Sequence, residues 1–212
     1  MARTPGLAPE QLRALGELKA AGGLEQFHLA GGGAVAFHLE HRSSLDIDLF
    51  SDEPGTDLDA LRARLIEALP GAEVVSQSDA TLKLRVNDTA VDIVSYPYPL
   101  LTPALPGPAG FPVAGLVDLG VMKLSAISRR GLARDFWDLH AILHAGHTLA
   151  ELAAAYRTRY GRAEADLYHV VRALTYFDDA DRDASRPDGL DDALWRRIKE
   201  FFEAEAPRLL RP

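Results

Sequence analysis

Two acidic residues inside an apolar run constrain this chain more than any other feature of its sequence. Residues 45–50 alternate apolar and acidic side chains, and a period of two predicts a half-buried strand. Asp46 and Asp48 should project from one face, and the apolar side chains, of which Leu45 is the first, from the other. Two neighbouring carboxylates repel each other, so this strand requires solvent or a cation to stabilise it.

Three consecutive glycines precede that strand, where an apolar run meets a helical pattern. Gly31, Gly32 and Gly33 predict a turn that opens a helix at 34–41. Glycine lets backbone N–H groups approach phosphate oxygens, and a helix N-terminus favours anions. A metal-dependent nucleotidyl transfer site needs this combination, in which a turn binds phosphate and two carboxylates hold Mg²⁺.

A third aspartate lies inside another predicted strand. Strands are predicted at 73–77, 81–86 and 90–95. Asp92 stands between two apolar residues of the last strand, so alternation turns its side chain away from theirs. We therefore predict Asp46, Asp48 and Asp92 as metal ligands and catalytic residues, with Asp92 a ligand or a base beside the attacking hydroxyl. An isolated pair of aspartates is more often structural, but the third acid and the glycines favour a catalytic set.

Composition limits the class of protein and of site. The chain has 212 residues, 47% hydrophobic and 25% charged, which suits one large domain or two small lobes. It has no cysteine, which excludes disulfides and thiolate metal sites. Its net charge of -8 disfavours nonspecific nucleic-acid binding, although arginines cluster locally. Without an apolar span or a visible signal peptide, we expect a soluble, cytoplasmic protein with no membrane partner.

A second group of charged residues falls in the later part of the chain. Lys123 and Arg130 lie on helical patterns, where cations can bind a triphosphate. Asp135 and Asp138 are three residues apart and share a helix face. Taken alone, these two acids fit structural ion pairs with Arg130 or Arg134. Coupled to the carboxylate strand, the segment favours a role for Lys123 in the cleft.

The order of patterns predicts an α/β (α+β) lobe with a mixed sheet at 1–112, followed by an all-helical lobe at 113–212. Helices are predicted at 8–20, 34–41, 57–69, 115–129, 132–145, 148–159, 163–176 and 190–205. Six prolines between 96 and 112 predict a segment without regular structure, and residues 178–189 predict a polar loop.

Residues 28–50 and the later segment from Lys123 to Asp138 resemble a known family. They look like the nucleotidyltransferases of the AbiEii type, toxins of type IV toxin–antitoxin and phage-abortive systems that are related to the MenT tRNA-modifying toxins. The resemblance covers most of 25–145. It implies a polymerase-β-like nucleotidyltransferase lobe and a helical lobe, with Mg²⁺ and a nucleoside triphosphate between them.

The resemblance also implies a role for each matching residue. It assigns the phosphate-contacting turn to Gly31, Gly32 and Gly33, the metal-binding pair to Asp46 and Asp48, and the third carboxylate to Asp92. It assigns nucleotide contact and catalysis to Lys123, nucleotide binding to Arg130 and Asp135, and the acidic end of the second block to Asp135 and Asp138, of which Asp138 is the preferred catalytic acid. The family usually has Ser or Thr where this chain has Gly33, so a hydroxyl donor to phosphate is missing.

Three functions fit these features. The first is transfer of a nucleoside monophosphate to an RNA or protein hydroxyl, with a tRNA end as the favoured acceptor, as a toxin with a cognate antitoxin. The second is transfer to a small cationic molecule such as an aminoglycoside, which the acidic surface would suit. The third is a catalytically weakened nucleotide-binding protein, with Gly33 marking the loss. Retention of three acids argues against the third, because such carboxylates are costly to keep together without a cation.

Overall fold

The computed structural model describes residues 6–164 and 167–210, and these form a seven-stranded sheet flanked by helices. The strands are β1 His28–Leu29, β2 Asp46–Ser51, β3 Ala72–Gln77, β4 Thr81–Val86, β5 Thr89–Ser95, β6 Leu105–Pro106 and β7 Pro112–Val113. Their order is β3-β4-β5-β2-β1-β7-β6. The β2–β5 and β1–β7 pairs are parallel and the other pairs are antiparallel, which confirms the predicted mixed sheet.

Helices make up the rest of the described chain. They are α1 Pro9–Ala21, α2 Gly31–Leu39, α3 Leu58–Ala68, α4 Leu116–Arg129, α5 Ala133–His144, α6 Leu149–Glu164, α7 Leu167–Leu174, α8 Asp178–Arg182 and α9 Asp192–Glu205. Short 3-10 turns occupy Pro108–Gly110 and Ala206–Leu210. Part of the helix predicted at 163–176, residues 165 and 166, lies outside the described residues. No helix in 6–164 or 167–210 is both long and apolar enough to cross a bilayer.

Alternation within β2 and β5 decides which face of the sheet is buried. Ile47 and Leu49 of β2 and Val91 and Ile93 of β5 are fully buried, on the face packed against α1 and α3. The opposite face carries the aspartates, as the period of two predicted. Leu45, predicted to share the face of Ile47 and Leu49, precedes β2 and is 59% exposed, so it does not join them in the core.

Three boundaries differ from the sequence prediction. α2 begins at Gly31 and not at residue 34. Of the three glycines predicted to form the turn, only Gly31 has a left-handed φ, of 59°. The proline-rich segment contributes β6 and β7, where Pro106 and Pro112 pair with each other at the border of the sheet, a place that tolerates missing donors. The predicted polar loop contains α8, whose first turn is rich in aspartates that suit a helix N-terminus.

A single hydrophobic core connects the sheet to the later helices. Ile47 of β2, Leu119 of α4 and Phe136 of α5 belong to the same cluster of buried residues. α2 also packs on both α4 and α5. The division into lobes at 1–112 and 113–212 therefore stays a prediction.

Candidate active site

A cleft of about 830 Å³ opens between the aspartate face of the sheet and α4. The first turn of α2 lies against it, and residues 185–188 reach its rim. Most of the predicted site residues line it: Gly31, Gly32, Asp46, Asp48, Asp92, Lys123 and Arg130. Gly33, Asp135 and Asp138 do not belong to this lining.

The parallel pairing of β2 with β5 brings the three aspartates together. Asp48 lies directly opposite Asp92 in the register, and Asp46 precedes Asp48 by two residues on the same face. Burial raises the pKa of Asp48 to about 6; Lys123 counteracts this, and the neighbouring Asp92 and Asp46 raise it further. Asp48 is therefore costly to ionise in the absence of a further cation beside it.

This donor set fits a magnesium ion, although it does not form a closed cage. In the described part of the chain, no three acidic or histidine side chains are grouped so as to hold a metal ion by themselves. Asp92 instead forms an ion pair with Lys83. Mg²⁺ usually takes one or two carboxylates and completes its shell with water and phosphate oxygens. Asp46 and Asp48 suit that pattern, and their metal-binding role stays a prediction.

The first turn of α2 is closed to side chains. A Cβ on Gly31 would lie 2.1 Å from Oδ2 of Asp48, and one on Gly32 would lie 2.5 Å from Nη2 of Arg42. Ala30 at the N-cap makes no side-chain hydrogen bond to this turn, so its N–H groups remain available to an anion. Only glycine allows the carboxylate, the guanidinium and the helix N-terminus to meet here.

Gly33 lies behind this turn and not on the cleft. It is buried, and a Cβ there would lie 3.2 Å from the carbonyl oxygen of Asp46 and 3.6 Å from Oγ of Ser44. A serine at this position would crowd the β2 backbone. Direct contact between Gly33 and a phosphate stays a prediction, and the structure offers no cleft surface at Gly33 to favour it.

Asp138 is fully buried among cations. It accepts hydrogen bonds from Nε of Arg42 at 2.6 Å, Nη2 of Arg42 at 2.8 Å and Nε2 of His41 at 2.8 Å. Nζ of Lys123 lies 2.7 Å from its Oδ2. Burial would raise the pKa of Asp138, but Lys123 and Arg42 hold it well below its usual range. Asp138 is therefore an ionised anchor for the cations at the cleft.

Asp135 completes this buried cluster. It accepts hydrogen bonds from Nζ of Lys123 at 2.9 Å and from Nε of Arg130 at 2.9 Å. Burial opposes its ionisation, but Lys123 and Arg130 lower its pKa. The two acids of α5 thus hold Lys123 between them. Of the structural ion pairs considered from the sequence, Arg130–Asp135 is present, whereas Asp138 pairs with Lys123 and Arg42.

Residues 13–210 match the family model described as "Nucleotidyl transferase AbiEii toxin, Type IV TA system". The chain belongs to the AbiEii family. This confirms the resemblance at 28–50 and 123–138 and makes the protein a nucleotidyltransferase.

Other proteins are similar to this chain in sequence or in fold. The protein aq_aa25 of Aquifex aeolicus (strain VF5) is 31% identical over 209 residues, which cover 96% of this chain and 98% of that protein. The fold is similar to MenT4, the nucleotidyltransferase toxin Rv2826c of Mycobacterium tuberculosis H37Rv, with 18% identity, a TM-score of 0.59 and coverage of 93% of this chain and 82% of that one. It is also similar to ANT(2")-Ia in complex with adenylyl-2"-tobramycin, with 16% identity, a TM-score of 0.53 and coverage of 72% and 99%.

Arg42 is a site residue of this AbiEii-family chain that the sequence patterns did not single out. It lines the cleft, and its guanidinium is held by Asp138 directly beside Gly32. In the sequence, Arg42 is distinguished only by its position between α2 and β2, where the chain turns back toward the glycines. Its partner is 96 residues away, so no local pattern could reveal the pairing.

The cleft of this AbiEii-family chain is basic, although the whole chain carries -8. Among the described residues, eight cationic side chains line it: Arg42, Lys83, Arg85, Lys123, Arg129, Arg130, Arg134 and Arg186. Four acidic ones do so: Asp46, Asp48, Asp92 and Asp188. Asp135 and Asp138 behind the lining bring the acids to six against eight cations, so a smaller excess of positive charge remains to attract anions.

Proposed function

We propose that this chain transfers a nucleoside monophosphate from a nucleoside triphosphate to a hydroxyl of tRNA, with Mg²⁺, as the toxin of a pair that includes an antitoxin. One observation supports the proposal most. The glycine turn, the carboxylate strands and Lys123 meet in a single cleft whose charge is positive. Each part of that cleft suits one part of the reaction.

The triphosphate would bind at the first turn of α2. The N–H groups of Gly31 and Gly32 point from a helix N-terminus, where the macrodipole favours negative charge. Arg42 lies beside Gly32 with its Nε–Nη2 edge bound to Asp138, so it contributes its positive charge at the turn, and Lys123 adds a compact charge. Because Asp135 and Asp138 already hold these cations in place, little ordering remains when phosphate binds.

Asp46 and Asp48 would hold Mg²⁺, which supplies charge neutralisation for the phosphates and the pyrophosphate leaving group. The acceptor oxygen attacks the α-phosphorus, the bond from that phosphorus to the bridging oxygen breaks, and pyrophosphate leaves. Asp92 would take the proton of the acceptor hydroxyl, and its position opposite Asp48 on the neighbouring strand supports this role. Lys83, which forms an ion pair with Asp92, also lines the cleft.

The charge of the cleft favours tRNA as the acceptor. Lys83 and Arg85 lie exposed on β4, and Arg129 and Arg134 lie at the rim formed by α4 and α5. Together they form a basic border around the carboxylates, which suits a phosphate backbone. None of them is needed to explain the fold of the sheet or the helices.

A small cationic acceptor is the second candidate. The similarity of fold to ANT(2")-Ia, solved with adenylyl-2"-tobramycin, favours it. The basic border argues against it, because a polycation would meet like charges at Lys83 and Arg85. A catalytically weakened protein is less well supported, since Gly33 lies behind the turn and its missing hydroxyl opens no gap in the cleft.

A labelling experiment tests the proposal. Purified protein is incubated with Mg²⁺, each α-labelled nucleoside triphosphate, and either total tRNA or a panel of aminoglycosides. We expect label on tRNA with release of pyrophosphate, both lost in Asp48→Asn. The control is Asp88→Asn, an exposed aspartate in the β4–β5 turn outside the cleft. If label appears only on an aminoglycoside, that molecule and not tRNA is the acceptor. Nucleotide binding without any transfer would contradict the proposal.

A further inference from the structure

Two aromatic rings extend the floor of the cleft beyond the carboxylates. Phe50 follows Asp48 by two residues on the same face of β2, which places it about 7 Å further along the strand. Tyr96 follows β5 and donates its backbone N–H to the carbonyl oxygen of Ser51 at 2.8 Å. The two ring centroids lie 5.3 Å apart, with an angle of 55° between the planes. Both side chains are half-buried and line the cleft.

The Tyr96 ring is fixed from behind. Its hydroxyl is hydrogen-bonded to the hydroxyl of Tyr160 at 2.5 Å, and the Tyr98 ring lies 4.9 Å away. The guanidinium of Arg159 lies 5.6 Å from the Tyr96 centroid, and the buried Asp118 holds Arg159 at 3.1 Å. These contacts order the ring before any ligand binds, which reduces the entropy lost on stacking.

Burial separates these rings into two groups. Tyr156 and Tyr160 are each only 7% exposed and belong to the core. Phe50 and Tyr96 pack on that core but keep a surface on the cleft. A ring that serves only the core is expected to be shielded from water, because burying its apolar surface is favourable. The surface that Phe50 and Tyr96 leave open on the cleft suits a flat apolar ligand.

We propose that Phe50 and Tyr96 form the platform on which the base of the nucleoside triphosphate stacks. This inference rests on the proposed function, which places the triphosphate at Gly31, Gly32 and Lys123. The base is joined to the α-phosphate through one sugar, and the rings lie one same-face residue beyond Asp48. Stacking uses the π-face that all four bases share, so the platform supplies affinity and leaves the choice of base to other contacts.

Binding measurements with two probes test the platform. Each nucleoside triphosphate has a base, whereas inorganic tripolyphosphate has only the charged part. Both are titrated calorimetrically, with Mg²⁺ and without acceptor, into the wild type, Tyr96→Leu and Phe50→Leu. We expect the Kd for the nucleoside triphosphates to rise about five- to a hundredfold in each variant, the range for loss of one stacked base. The Kd for tripolyphosphate should stay at the wild-type value.

Two further variants separate stacking from folding. Tyr96→Phe keeps the ring but loses the hydrogen bond to Tyr160, and should lose less affinity than Tyr96→Leu. Tyr176→Leu removes a tyrosine that is 51% exposed and outside the cleft, and should match the wild type with both probes. Unchanged tripolyphosphate binding also shows that a variant has kept its folded phosphate site.

The outcomes distinguish failure of the platform from failure of the proposed function. If both probes weaken together, or if neither changes, the rings do not bind the base. If the variants change only the KM for tRNA, the rings bind the acceptor and the platform is overturned. If the wild type binds neither nucleoside triphosphate nor tripolyphosphate, the proposed function itself fails.

Discussion

The aspartates of the strands and the aspartates of α5 lie on either side of Lys123, yet their surroundings are opposite. Asp48 faces a cleft with other carboxylates beside it, and its pKa is raised to about 6 by burial, against the pull of Lys123. Asp138 is closed off from solvent, and Lys123 and Arg42 overcome burial to keep its pKa far below normal. Asp48 thus has carboxylates as neighbours, whereas Asp138 has cations. Side chains of one type are ionised anchors on α5, and we propose that they are metal ligands on the strands.

The largest effect should come from removing the anchor. Asp138→Asn leaves Arg42 and Lys123 buried without their main counter-charge, so we expect a loss of about 3–5 kcal/mol in the free energy of unfolding. Urea denaturation measures it, with Asp88→Asn as the matched surface control. A variant that lost less than about 1 kcal/mol but had no activity would make Asp138 a catalytic residue, as the sequence suggested.

Asp48→Asn should show the reverse pattern. Losing one metal-binding carboxylate should lower the rate of transfer by about a hundredfold or more, comparable with the loss of a single electrostatic contact to the transition state. The free energy of unfolding should stay the same or rise, because a repelled carboxylate is gone. Steady-state kinetics and thermal unfolding, both performed on the same preparation, check the two parts. A marked loss of stability would contradict the contrast between the two sites.

Acidity should stabilise the metal-free protein through Asp48. A carboxyl whose folded pKa is raised binds its proton more tightly in the folded state, so its contribution is complete below the unfolded pKa and is lost as pH rises to about 6. We expect this to amount to about 3 kcal/mol at most between pH 4 and pH 6. Unfolding in EDTA, compared between the wild type and Asp48→Asn, isolates it. Identical pH profiles in the two proteins would show that the pKa of Asp48 is not raised in the folded state.

The smallest effect concerns the basic border. Lys83→Gln should raise the KM for tRNA several-fold and reduce the slope of log affinity against log salt by about 1, because one phosphate contact is lost. The Kd for nucleoside triphosphate should stay at the wild-type value. Arg196→Gln, a change on an exposed part of α9 outside the cleft, is the control. If Lys83→Gln and Arg196→Gln behave alike, the border does not bind the acceptor.

Local pattern was enough to predict the strands and the face on which the acids lie. The period of two in β2 and β5 sets the direction of Asp46, Asp48 and Asp92 whatever packs around them, and the prediction of a mixed sheet was correct. The glycines were also recognisable, since both their conformation and their spacing are local. The packing around each glycine was not recognisable, because the β2 backbone that lies against Gly33 is brought there by the fold.

Long-range contacts account for what the sequence could not predict. Arg42 is one arginine among many until α5 folds against α2 and provides Asp138. Phe50 and Tyr96 read as ordinary apolar and turn residues, because their meeting depends on the parallel pairing of β2 with β5. The short strands at Pro106 and Pro112 were missed because proline disfavours strands in general but not at a border.

The ion pair between Arg42 and Asp138 also limits where genes of this family can recombine. One partner belongs to the strand-bearing half of the chain and the other to the helical half. If related genes exchanged one half, the recombinant would keep this buried ion pair only when both parents carried it at matching positions. Recombination between relatives should therefore be tolerated within either half more readily than at the junction between them.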